Sequence, residues 1–308
     1  MTRGLFLRLS HSGALRSLVT HFPLARRAAR RWVAGETAEE AITAIRALNA
    51  RGILAAVDCL GENVFNEADA ARARDQYLDV LDRIAAAGVQ SHVSLKLTQF
   101  GLDVSFDVCR ANVAQVAQRA REHGNFVALD MESSDYTDRT IGMLRSLREE
   151  FDNVGLALQA YLYRSEADLR ALTAEGTHVR LCKGAYQEPA DRAFPRKADV
   201  DASMVRLMQL MLAPEGRAAG AYLAMATHDV KMIEATKAYV AAQGVPRDAF
   251  EFQMLYGIRP GLQEDLAREG YRMRVYVPFG TEWYPYYMRR LAERPANIWF
   301  IISSLFQR

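Results

Sequence analysis

Two arginines stand side by side in YMRRLAERPANIWF, at Arg289 and Arg290. Adjacent guanidiniums repel, so such a pair lies either on a solvated face or around an anion. Six more polar residues sit in short apolar runs: Lys96 in HVSLKLT, Asp130 in FVALDME, Gln159 in VGLALQAYL, Arg180 in HVRLCKGAY, Gln253 in FEFQMLYG and Tyr276 in RMRVYVPFG. A period of two sets Ser94, Lys96 and Thr98 against Val93, Leu95 and Leu97, and Asp130 and Glu132 against Val127, Leu129 and Met131. The polar faces either form a hydrogen-bonded interior layer or bind a ligand. Buried charges need partners, so six such residues make a bare layer costly and favour a polar ligand. Cations and amides with one tyrosine and few acids suit an anionic cofactor beside an anionic substrate. CKGAY and ATHD add a lysine, a threonine hydroxyl and glycine backbone, the groups that phosphate oxygens seek. Redox chemistry on a bound cofactor fits this set.

Other chemistries lack their residues. The six histidines form no H-x-H or H-E-x-x-H, and only His228 falls at a strand end, so no metal site is expected. No G-x-S-x-G elbow occurs, and Cys182 reads as a core cysteine within a strand. The three cysteines, Cys59, Cys109 and Cys182, are widely spaced, which suits a reducing compartment. A net charge of +2 over 308 residues gives no argument for nucleic acid. No apolar run approaches the roughly 18 residues of a membrane span.

The elements that must carry these residues follow one pattern beyond Gly52. Eight β-rich runs, from ILAAVDC to RMRVYVPFG, alternate with helical stretches such as EADAARARDQYLDVLDRIAAAG, which ends on a glycine. Alternation of this kind means parallel strands with helical crossovers. Eight repeats without G-x-G-x-x-G favour a closed (β/α)8 TIM-type barrel over an open sheet. The polar residues fall late in their strands, toward the C-terminal rim where barrel enzymes keep their sites. Residues 1–35 differ, with seven arginines and no acid before Glu36. That arm reads as a transit peptide, as a basic helix on an anionic membrane, or as helices with a solvated basic face. The expected division is a basic helical arm over 1–35 and a barrel catalytic domain over 36–308.

From about Leu54 to Phe300 the motifs VRLCKGAY, MATHD, FEFQMLYG, RVYVPFGTEWYPYYMRR and LAERPAN resemble, in order, those of proline dehydrogenase, in its monofunctional bacterial form. The resemblance implies a distorted (β/α)8 barrel whose last helix lies over the mouth. It implies oxidation of L-proline to Δ1-pyrroline-5-carboxylate by hydride transfer to FAD, the first step of proline catabolism to glutamate, with electrons passed to a membrane quinone. By position it implies Asp130 and Arg180 as catalytic. Lys96, Tyr276, Leu255, Arg289 and Arg290 fall on the substrate side, with Glu62 able to pair with one of the arginines when no substrate is bound. Met131, Gln159, Arg180, Lys183, Gly184, Ala185, Thr227, His228 and Gln253 fall along the cofactor. The chain stops at Arg308, without room for an aldehyde dehydrogenase half, so a separate pyrroline-5-carboxylate (glutamate semialdehyde) dehydrogenase is the expected partner. The expected location is cytoplasmic, peripherally on the inner membrane. Two other readings stay open: a different flavin barrel, such as a folate reductase, or a membrane-surface binding module with the barrel as scaffold.

Overall fold

The computed structural model describes residues 31–61 and 64–293, without the side chains of 289–293. The arm up to residue 30, Glu62 and the side chains of Arg289 and Arg290 lie outside the described residues.

Helix α1 (Ala38–Asn49) leads into strand β1 (Leu54–Cys59). Thr37 and Glu40 start it with a reciprocal capping box, which satisfies two orphan N–H groups at once. Seven further strand units follow: β2 (Ser91–Leu95), β3 (Val127–Leu129), β4 (Val154–Gln159), β5 (His178–Cys182), β6 (Tyr222–Ala226), β7 (Phe250–Leu255) and β8 (Met273–Phe279). The eight strands pair in chain order and close, with β8 parallel to β1 from Leu54↔Arg274 to Cys59↔Phe279. Between strands run α2 (Glu67–Ala87), α3 (Phe106–Glu122), α4 (Thr137–Arg148), α5 (Ser165–Ala174), α6 (Lys197–Leu212), α7 (Pro214–Ala218), α8 (Val230–Ala242) and α9 (Pro260–Arg268); α10 (Trp283–Glu293) follows β8.

The long helix α2 shows how patterning becomes packing. Tyr77, Val80, Leu81 and Ile84 recur at helical spacing and all are buried, while Gly88 stops the helix at φ 62°. Burying an aliphatic side chain of this size contributes about 1.5–3 kcal/mol. Strands β2 and β4 are buried on both faces, as parallel strands covered by helices are. Gly155 in β4 admits no side chain: a Cβ there would stand 2.5 Å from the His178 carbonyl oxygen and 2.7 Å from the Phe126 ring. Low in the barrel, Arg274 of β8 forks onto Glu251 of β7 at 2.8 and 3.1 Å and reaches the Ala55 carbonyl at 2.7 Å.

All eight expected runs are strands, but two end earlier than the period-two reading extends them. β2 stops at Leu95, because a 3-10 turn, Leu97–Phe100, begins directly after Lys96. β3 spans only Val127–Leu129, and Glu132 beyond it accepts from Thr98 N at 3.2 Å and Thr98 Oγ1 at 2.9 Å. Glu132 therefore caps that turn rather than continuing a strand.

Residues after Arg31 close onto the mouth. Trp32 and Val33 are buried against Leu60, Trp283, Tyr284 and Tyr287. Ala34 N donates to Pro278 O at 2.9 Å, and Trp283 Nε1 donates to Glu36 Oε1 at 3.1 Å. Residues on both sides of the expected 35/36 boundary take part in this packing. No helix among the described residues is long and apolar enough to cross a membrane.

Candidate active site

The C-terminal ends of the strands surround one cavity of about 820 Å³. Its floor is a charge network. Lys96 Nζ lies 3.2 Å from Asp58 Oδ2 and 2.9 Å from Asp130 Oδ2. Asp130 also accepts from Ser94 Oγ at 2.7 Å, from the Tyr276 hydroxyl at 2.8 Å and from Arg180. Arg180 Nη1 donates to Ser94 Oγ at 3.1 Å, and its guanidinium sits 5.3 Å from the centre of the Tyr276 ring. Six side chains thus meet at a common point: Asp58 from β1, Ser94 from β2, Arg180 from β5 and Tyr276 from β8, with Lys96 and Asp130 from the residues directly after β2 and β3.

Burial and charge oppose each other here, and charge wins at the ion pairs. Burial alone would raise the Asp130 carboxyl, but Lys96 and Arg180 beside it hold it well below the usual carboxylate range. Burial would lower Lys96, yet Asp130 and Asp58 push its ammonium well above the ordinary lysine value. Tyr276 is raised well above the ordinary phenol value by burial and by the same two carboxylates, so its hydroxyl keeps its proton. Burial raises Glu132 despite its two bonds from Thr98.

The second half of the wall comes from β5 to β7. Lys183 lies 2.7 Å from Asp229 Oδ2 and also bonds Asp201. Lys197 completes the group at 2.7 Å from Asp201 and 3.3 Å from Asp229. The bond from Lys183 leads the causes that hold Asp229 down at about 2. Gly184 takes φ 120°, and a Cβ there would stand 2.5 Å from the Tyr161 ring. Only glycine leaves that backbone bare along the cavity. His228 Nε2 accepts from Leu255 N at 2.9 Å, which fixes Nε2 as the unprotonated nitrogen.

Most sequence-predicted residues meet at this cavity. Lys96, Asp130, Met131, Arg180 and Tyr276 line one part of it, and Lys183, Gly184, Ala185, Thr227, His228, Gln253 and Leu255 the other. Gln159 stands behind the wall, 1% exposed, with Nε2 donating to Glu132 O at 2.8 Å and Oε1 accepting from Ala185 N at 3.4 Å. Glu62, Arg289 and Arg290 fall outside what is described, though Tyr286 of the same helix α10 lines the cavity.

Sequence reasoning missed Asp58, Asp201 and Arg259. Asp58 carried a signal, as the one acid in an apolar strand at its C-terminal end. Cys182 departs from its expected place within a strand core. It is the last residue of β5, lines the cavity, and has its thiol raised to about 11 by burial, so it is no nucleophile at neutral pH.

A closed parallel barrel whose mouth gathers paired charges and a deep cavity defines an enzyme of the (β/α)8 class acting on a charged ligand. The sequence pattern of the family "Proline dehydrogenase" matches residues 41–302, and the chain belongs to that family. Proline dehydrogenase 1 of Bacillus subtilis (strain 168) is 40% identical over 308 residues, across 100% of both chains. Proline dehydrogenase of Deinococcus radiodurans is 42% identical over 284 residues, 91% of this chain and 90% of that one. A crystal structure of proline utilization A (PutA) from Bdellovibrio bacteriovorus, inactivated by N-propargylglycine, superposes with a TM-score of 0.80. It is 27% identical, over 87% of this chain and 32% of that chain. The chain is therefore an oxidoreductase acting on proline, in a flavin-dependent family. The folate-reductase and binding-module readings give way to it.

Proposed function

We propose that the mouth binds L-proline against FAD, and that the electrons go on to a membrane quinone. The observation that carries this reading is the balance of charge on the cavity floor. Lys96 and Arg180 face Asp58 and Asp130, two cations against two carboxylates. Such a set is neutral and cannot by itself hold a further carboxylate. Arg289 and Arg290 on α10 supply the missing positive charge in this reading, with Lys96 as a third donor. Glu62 is the anion they would release as substrate enters.

The cavity residues fit the cofactor. Its volume of about 820 Å³ lies in the range of about 300–1,000 Å³ usual for such sites. Gln253 lines it with a buried Oε1 that has no partner among the described residues, and the bare backbone at Gly184 admits a flat ring system. Met131, Arg180, Lys183 to Ala185, Thr227, His228 and Gln253 would hold the flavin and its phosphates, with Gln159 supporting Ala185 from behind. Bound there, FAD supplies a two-electron acceptor for the hydride leaving the proline ring carbon.

The chain's own residues orient and select. Asp130 fixes Lys96, Arg180 and Tyr276 together, and Tyr276 stays protonated with its one O–H donated to Asp130. The proline nitrogen must be neutral before hydride can leave the adjacent carbon. Asp130 is held too acidic to keep that proton, so the cationic mouth favours its release to water. A separate dehydrogenase would then oxidise the product, and the enzyme would work in the cytoplasm against the inner membrane.

Anaerobic titration of the yellow protein with L-proline tests the reading. The flavin absorbance should bleach with no nicotinamide added. Retained colour at saturating proline would rule it out.

A further inference from the structure

We infer that Arg259 binds the pyrophosphate of the dinucleotide cofactor, an assignment that rests on the FAD reading above. Arg259 lines the mouth cavity between β7 and α9. Among the described residues its guanidinium has no hydrogen-bond or ion-pair partner. The other lining cations are already engaged. Lys96 lies between Asp58 and Asp130, Arg180 is on Asp130, and Lys183 lies between Asp201 and Asp229. With Lys197 added, that last group is two cations against two carboxylates, so it brings no net charge to a phosphate. A pyrophosphate carries two negative charges and needs a cation that is not already matched.

The backbone adds an independent observation. Arg259 is the one non-glycine residue with positive φ among those described, at φ 52° and ψ 53°. A long L side chain resists that conformation, which glycine or asparagine adopts readily. The turn is nevertheless held from several sides. Gln263, 3% exposed, donates its amide to Ile258 O at 2.8 Å and Leu255 O at 3.2 Å. Gly257 presses so close to the Arg31 carbonyl that a Cβ would stand 1.6 Å from its oxygen. A strained residue that its surroundings over-determine is characteristic of a ligand clamp. Stability alone would place glycine at 259; the arginine instead puts a cation at the edge of the cavity.

Purified holoenzyme of the parent, R259G and R259K tests the assignment. The flavin is first extracted and identified. Release and rebinding of FAD and of riboflavin, which lacks phosphate, are then followed by flavin fluorescence. R259G should bind FAD about 10-fold more weakly or worse, the cost of a lost charge-assisted bond. Its riboflavin affinity should match the parent's, and the flavin-free chain should melt no lower, because glycine relieves the strained φ. R259K should recover part of the FAD affinity. Unchanged FAD affinity in R259G, in a parent shown to hold FAD, would overturn the Arg259 assignment alone. Equal losses for FAD and riboflavin would make Arg259 a shaper of the turn and overturn it too. Extraction of no dinucleotide from the parent would defeat the FAD reading, and this assignment with it.

Discussion

Asp130 accepts from four side chains, Ser94, Lys96, Arg180 and Tyr276, and its pH behaviour follows from that company. Its folded pKa is depressed, so its contribution to stability is fully present above the unfolded value of about 3.9. That contribution is lost as pH falls from there toward the lower folded value. Lys96 is raised, so its contribution is fully present below about 10.4 and is lost as pH rises through its higher folded value. Between about pH 5 and pH 9 neither group changes charge. Any pH dependence of flavin reduction in that window should therefore come from neither Asp130 nor Lys96. Tyr276→Phe removes one of the four bonds to Asp130 and should raise the KM for proline about 10-fold, the worth of a hydrogen bond to a charged group. The variant should stay yellow, and its pH profile should keep the parent's midpoint. A colourless folded protein would place Tyr276 on the cofactor side, and a midpoint moved by a unit would make the network itself the titrating group. Most of these residues were legible because a polar residue interrupting an apolar strand stands out in one sequence. Asp201 and Arg259 were not, since both lie on surface-patterned segments and owe their place to tertiary folding.

Elements carry the site more than single residues do, and the loop from β5 into α6 shows it. Glu188 on this loop accepts from Ser134 N at 2.8 Å, and Leu162 bridges to Ala193, so the segment folds over the end of β4. Gly184 is where it leaves the strand. Gly184→Ala should fold yet purify with markedly less flavin, judged by the ratio of flavin to protein absorbance with circular dichroism as the control for folding. Full flavin content would show that the loop yields by shifting Tyr161. Helix α10 raises the matching question on the substrate side. Changing Arg289 or Arg290 to Met should raise the KM for proline by about 10- to 150-fold, because a charge-assisted bond contributes roughly 1.5–3 kcal/mol. Lysine should recover only part, lacking the planar fork. Pyrrolidine, without a carboxylate, should lose little further in either variant. Equal losses for both substrates would make the pair a structural clamp for α10. All eight strands were legible from alternation, because burial on both faces writes itself as apolar runs. Their ends were not, because β2 and β3 stop where side chains such as Glu132 satisfy backbone groups, and a period of two cannot see that.

At the scale of the whole molecule, residues that read as part of the arm pack against the mouth of the barrel. Trp32 packs at a tilt against Tyr287 with ring centres 5.6 Å apart, and Ala34 and Gly35 hydrogen-bond to the segment around the end of β8. The compositional break at Glu36 was visible in the sequence, whereas the packing of Trp32 and Val33 was not, since two apolar residues carry no period. A truncation that tests the arm must therefore stop before Arg31. Deleting residues 1–30 removes six of the seven arginines that precede Glu36 and leaves the buried tryptophan in place. Proline reduction of the flavin, followed with a soluble dye as acceptor, should be unchanged in this variant. Its activity with quinone in anionic vesicles should fall. Added salt should lower the parent's vesicle activity toward that of the truncation, because attraction between exposed charges is screened beyond about 10 Å at 0.1 M. Salt should have little effect on the truncated chain. Equal vesicle activity in the two chains would end the membrane role of the arm. A fall in the dye assay would instead make residues 1–30 part of what holds the mouth closed.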